Sequence, residues 1–199
     1  LKDYKGKRPE KLEIVDDLFL KKLNYLVQSA TENFSKYEYS KVKQDVEQFF
    51  WQIFCDNYLE IVKKRIYNET GQKKESAQYA LYRGLLTILK LVAPIMPFVT
   101  EEIYQEYFME YEKNKSIHIS KWPDVIKVDT MENAFDILIN ILGMIRKEKS
   151  RKQKSVKSEI ILYLDSGMLK RIPKSVLQDL KDVANAKEIK EGKFKVEFV

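Results

Sequence analysis

The chain has 199 residues, 44% of them apolar and 33% charged, with 36 Lys and Arg against 30 Asp and Glu and a formal net charge of +6. That is enough apolar material for the core of one ordinary domain, or of one domain with a small appendage, under a well-solvated surface. No run of eighteen apolar residues is present, which excludes a transmembrane helix, and Leu1-Lys2-Asp3-Tyr4 opens no signal-peptide core. The chain has no initiator Met, which suggests a piece of a longer protein, and its single Cys55 excludes an internal disulfide and points to a reducing, cytoplasmic setting.

Taken in order, the apolar residues mark helices through the first three quarters of the chain. Val15, Phe19, Leu23, Leu26, Val27, Ala30 and Phe34 step by threes and fours through a first helix. Val42, Val46, Phe49, Phe50, Ile53, Phe54, Ile61 and Val62 trace a second, longer one, with Gly71 as its expected C-terminal stop. Ala77, Leu81, Leu85, Ile88, Leu89 and Val92 mark a third. Pro97 suits the first turn of a fourth, where its missing N–H has no partner to lose, and Glu101 and Glu102 lie near the positive end of that helix. A fifth is expected from about Asp129, with Glu132 placed for a capping pair and Ala134, Phe135, Leu138, Ile139, Leu142 and Ile145 as its buried stripe.

At Ser158 the pattern changes. Ile160-Ile161-Leu162-Tyr163-Leu164 reads as a strand, Pro173 opens a short helix, and Phe194, Val196 and Phe198 alternate with charged residues as a strand does. Gly192 suggests a hairpin with the segment around Ile189. The expected fold class is mainly α: a helical bundle over residues 1–157, followed by a small α+β subdomain over residues 158–199.

Charge is concentrated in one place. Residues 145–157 hold Arg146, Lys147, Lys149, Arg151, Lys152, Lys154 and Lys157 against Glu148 alone, an excess equal to the whole net charge of +6. A neutral body with one basic strip suggests a located contact with a polyanion, set against the plainer reading of a solvated surface run.

Catalytic chemistry is missing. His118 is the only histidine and has no Cys or His beside it for zinc, and Cys55 sits among bulky apolar residues as a small core side chain does. No phosphate-cradling loop of the GxGxxG or GxxxxGK type occurs. Asp16-Asp17 and Glu101-Glu102 fall where helix-start charges belong. No catalytic residue, metal site or cofactor site is expected.

Four motifs occur in order: Trp51-x-x-Phe54-Cys55-Asp56-x-Tyr58-Leu59-Glu60-x-x-Lys63; Leu89-x-x-Val92-Ala93-Pro94-Ile95-Met96-Pro97-Phe98-Val99-Thr100-Glu101-Glu102-Ile103-Tyr104; Ser116-Ile117-His118-Ile119-Ser120-x-Trp122-Pro123; and Ile145-Arg146. The sequence resembles the helical anticodon-binding domain of valyl-tRNA synthetases, a class I family, and the resemblance covers about Asp16 to Ser158. Isoleucyl and leucyl relatives share the Pro-x-x-Pro-Phe-x-x-Glu-Glu pattern but generally lack the Phe-Cys-Asp-x-Tyr run. Asn57 stands where the family typically has Trp. Lys154-Ser155-Val156-Lys157-Ser158 looks like the family's KMSKS loop only superficially, since it follows a bundle helix and not a nucleotide-binding fold.

The resemblance implies a non-catalytic part that holds the anticodon stem-loop of tRNA(Val), within a monomeric, cytoplasmic enzyme that activates valine with ATP and Mg2+ in a catalytic domain N-terminal to this chain. On that basis Arg146, Lys147, Lys149, Arg151, Lys152 and Lys154 are candidate phosphate contacts. Lys64, Arg65 and Trp51 are candidates to face RNA, against a solvated helix end for the two cations and a core position for Trp51. The rival reading is a helical protein-interaction module whose basic strip meets an acidic protein.

Overall fold

A computed structural model describes Tyr4, residues 6–129 and residues 134–199. α1 (Ile14–Ser35) buries the expected stripe of Val15, Phe19, Leu23, Leu26, Val27 and Ala30. It packs against α2 (Tyr39–Gln48) and α4 (Gln72–Val92). α5 (Pro97–Tyr107) and the single turn α6 (Met109–Glu112) extend the bundle, and α7 (Ala134–Arg151) closes it along α1. Pro97 lies in the first turn of α5, as its chemistry requires. Asp129 precedes α7 and donates its backbone N–H to Asp17 at 2.7 Å; Glu132 lies outside the described residues.

The long second helix is not uniform. Between α2 and α3 (Glu60–Asn68), residues Phe49–Leu59 run as a π-helix, with one extra residue per hydrogen-bonded turn. Phe49, Phe54 and Tyr58, spaced by five and four, thereby reach one buried face. Tyr58 stacks on Phe19 at 3.8 Å between ring centres and 6° between planes. Gly84 of α4 makes room for this cluster, because a Cβ there would lie 3.0 Å from both Phe19 and Phe54. Asn57 explains part of the wide turn: its amide Nδ2 donates to the Gln52 carbonyl five residues back, at 2.6 Å. Two expectations change here. The middle of this helix is π and not α, and α3 ends at Asn68, so Gly71, at φ 64°, instead sits immediately before α4.

The C-terminal unit holds β1 (Ile160–Leu164), α8 (Ser166–Lys170), α9 (Lys174–Ala184), β2 (Ala186–Glu191) and β3 (Lys195–Phe198). Strand order is β2-β1-β3, with β1 parallel to β2 and antiparallel to β3. The expected hairpin across Gly192 is therefore corrected: β2 and β3 lie on opposite sides of β1. Burial decides the order. Ile160, Leu162 and Leu164 are fully buried and claim the centre, while the Lys- and Glu-rich β2 and β3 suit edges. Asp165 follows β1; its side chain accepts from the Met168 N–H at 2.9 Å and caps α8. α9 buries Val176, Leu180 and Ala184 and packs on α3, α1, α7 and β2. A mainly helical bundle with a small α+β unit at its C-terminal end is the observed fold class.

Candidate nucleic-acid interface

The nine candidate residues separate into two physical classes. Arg65 is 7% exposed and grips Asp16 with both terminal nitrogens, at 2.7 and 2.8 Å. Asp16 is fully buried and also accepts from Tyr58 Oη at 2.6 Å and Ser76 Oγ at 2.5 Å. Arg65 Nε faces Asp179 of α9 at 3.4 Å. Burial works against the Arg65 charge, but Asp16 and Asp179 outweigh it and hold the guanidinium more firmly protonated than usual. Arg65 is thus a strut between bundle and C-terminal unit, and it leaves the set of RNA candidates. Asp16, read as a helix-start charge, is the centre of this network.

Lys149 is also internal, at 2% exposure. Its Nζ donates to three carbonyls, Val156 at 2.6 Å, Ser158 at 2.9 Å and Ala184 at 2.8 Å. Burial lowers its pKa from the ordinary lysine value. All three ammonium protons are used within the fold, so Lys149 too leaves the phosphate-contact set.

The remaining cations are placed outward. Lys147, Arg151, Lys152, Lys154 and Lys157 are exposed at the end of α7 and on the turn that follows. Arg151 pairs with Glu148 one turn back at 2.7 Å, a solvent-exposed ion pair of small net worth. Arg146 is half-buried and docked on the π segment, donating to Asn57 Oδ1 at 2.9 Å and the Asp56 carbonyl at 2.7 Å. A cleft of about 440 Å³ between the π segment, α7 and α9 is lined by Cys55, Asp56, Glu60, Arg146 and Lys149, among others. Lys64 is exposed on α3 and reaches Asp182 of α9 at 2.6 Å.

Trp51 is not core: it is 56% exposed, with its ring edge-on to Phe50 at 5.0 Å. It lines a separate apolar groove of about 340 Å³ with Val46, Leu85, Val92, Met96 and Ile103. Phe54 is buried, while Phe50, Ile53 and Cys55 are only partly so. Burial and the neighbouring Asp56 raise the Cys55 thiol pKa, which disfavours the thiolate.

The profile of the family described as the anticodon-binding domain of tRNA ligase matches residues 16–164. The chain belongs to this family. It is similar to the valine–tRNA ligase of Orientia tsutsugamushi (strain Boryong), 40% identical over 177 residues that make up 85% of this chain and 21% of the relative. The valine–tRNA ligase of Ehrlichia canis (strain Jake) is 42% identical over 180 residues, 87% of this chain and 22% of its own length. That of Rickettsia canadensis (strain McKiel) is 36% identical over 212 residues, covering 99% of this chain and 25% of the relative. The chain thus spans between a fifth and a quarter of the length of these curated relatives.

Within this anticodon-binding domain the matched region opens at Asp16, the centre of the buried network, and ends with β1. Asn57 is buried and ties Arg146 to the π segment. Ser76 and Asp179 carried no motif that marked them in the sequence. A polar residue repeating on the apolar face, as Asp16 does beside Val15 and Phe19, was the one legible signal. Among the described residues no helix is long and apolar enough to cross a membrane.

Proposed function

We propose that this chain is the tRNA-binding part of a valine–tRNA ligase, positioning the anticodon stem-loop of tRNA(Val) for an enzyme whose ATP- and Mg2+-dependent activation of valine takes place outside this chain. Lys147, Arg151, Lys152, Lys154 and Lys157 contact phosphates, which place the RNA without reading it. Arg146 and Lys64 are each already held by a protein partner. Trp51 is available for stacking on an unpaired base. The parent enzyme acts as a cytoplasmic monomer.

One observation carries this reading. In a chain of the anticodon-binding family, the exposed part of the basic strip stays solvent-facing while its one buried cation, Lys149, is consumed by the fold. Titration of the 199-residue chain with a valine tRNA transcript at several salt concentrations tests it. About four of these five cations each neutralising a phosphate give a slope of log K against log salt of roughly −3 to −4. No salt-dependent tRNA binding, together with capture of an acidic protein, would overturn this reading in favour of a protein-interaction module.

A further inference from the structure

The family match stops at residue 164, so α8, α9, β2 and β3 carry no role of their own from it. They grip the turn that bears the exposed lysines. The turn begins where Gln153, at φ 54°, reverses the chain after α7, with its N–H on the Ser150 carbonyl and the Lys154 N–H on the Lys149 carbonyl, both 2.9 Å. Ser158 N–H closes on the Ser155 carbonyl at 2.9 Å. The other ties come from the C-terminal unit. Lys149 Nζ joins the carbonyls of Val156 and Ser158 to that of Ala184, the last residue of α9. Asn185, left-handed at φ 53°, donates its Nδ2 to the Lys157 carbonyl at 2.7 Å and accepts the Ile160 N–H at its own carbonyl at 3.1 Å. Lys154 Nζ lies 6.0 Å from the ring centre of Phe198 on β3.

We infer that the C-terminal α/β unit serves as a presenting scaffold for RNA: the end of α9, through Ala184 and Asn185, fixes the 152–157 turn so that Lys152, Lys154 and Lys157 face the phosphates already arranged. Lys149 and Asn185 are then positioning residues that touch no RNA. This inference rests on the tRNA-binding reading above. Its physical basis is preorganisation. A free turn with three lysines loses backbone and side-chain freedom on binding, and a turn already held by four carbonyl contacts loses less.

Two kinds of damage to the strip have different signatures. Removing a phosphate contact flattens the salt slope, whereas loosening the turn keeps the same contacts in the complex and lowers affinity at every salt concentration. Asn185→Gly is the suitable variant, since glycine accepts the left-handed backbone and only the amide tie is lost. In the 199-residue chain it should speed hydrogen exchange at amides 154–158. It should weaken binding of a valine tRNA transcript about three- to tenfold with an unchanged slope. Lys149→Met, which removes the strut, should weaken binding further with the slope kept; a phosphate-contacting Lys149 would instead make the slope shallower by about 0.7–0.9. Wild-type affinity in Asn185→Gly, or unaltered exchange in its turn, overturns the scaffold while leaving the tRNA reading intact. Absence of salt-dependent tRNA binding by the wild-type chain overturns that reading, and the scaffold with it.

Discussion

Arg65 and Lys152 carry the same charge and both stand in basic runs at helix ends, yet they belong to different physics. Arg65 is enclosed between α1, α3 and α9, where a guanidinium is held only because Asp16 and Asp179 face it. Lys152 is exposed on the turn after α7 and keeps its water. A buried cation is tolerated only because partners offset its lost hydration, so removing it or its partner destabilises the fold. An exposed one is nearly free of cost to the fold and is available to a partner. The contrast between Lys149 and its neighbours Lys147 and Arg151 repeats this within about one turn of α7. Position on the helix, not charge density, decides which cations belong to the fold and which stay at the surface for a partner.

The contrast breaks most visibly at Asp16. Asp16→Ala leaves the Arg65 guanidinium, the Tyr58 hydroxyl and Ser76 without their shared acceptor, and losing one partner of a buried pair costs about 3–5 kcal/mol. Thermal unfolding followed by circular dichroism should show Tm lowered by about 10 °C. Adding Arg65→Met should recover part of the loss, because no charge then remains stranded. Lys149→Met comes next, at about 3 kcal/mol, since it strands three carbonyls inside the turn.

A third, smaller effect follows from pH. Burial pushes the Asp179 carboxyl up to about 7; Arg65 opposes the rise, and Asp16, Glu13 and Asp182 add to it. Below about 4 the group is protonated both folded and unfolded, and no stability is lost. As pH rises toward 7 the unfolded chain releases this proton while the folded chain keeps it, so stability falls across that window. Asp179→Asn should remove this part of the decline, measurable as a flatter denaturation midpoint between pH 5 and 7. A steeper decline in the variant would contradict the assignment. The smallest effect is Lys152→Gln, expected to change stability by less than about 0.5 kcal/mol in urea unfolding.

Much of the fold was legible because apolar spacing records which helix face is buried: Phe19, Leu23 and Leu138 are core as their positions demand. The π segment was not, because its signature lies in backbone hydrogen bonding, and Phe49, Phe54 and Tyr58 fit a plain helix tolerably. Strand order escaped for a related reason. Gly192 is compatible with a hairpin, and only the full burial of Ile160, Leu162 and Leu164 puts β1 between β2 and β3. The basic strip was visible as a count, but which of its members turn inward depends on the carbonyls of Ala184, Val156 and Ser158, and no local pattern announces those. Asp16 offered a partial warning, as an acid on an otherwise apolar face.

The separation of structural from RNA-facing cations is tested most directly by the salt dependence of tRNA binding in one multiple variant. Lys147, Arg151, Lys152 and Lys154 changed together to Gln should leave helix content and Tm nearly unchanged. The slope of log K against log salt should flatten from roughly −3 to −4 toward about −1, with similar losses across tRNA sequences because phosphates specify nothing. A wild-type slope in that variant would contradict the assignment of these exposed cations to RNA.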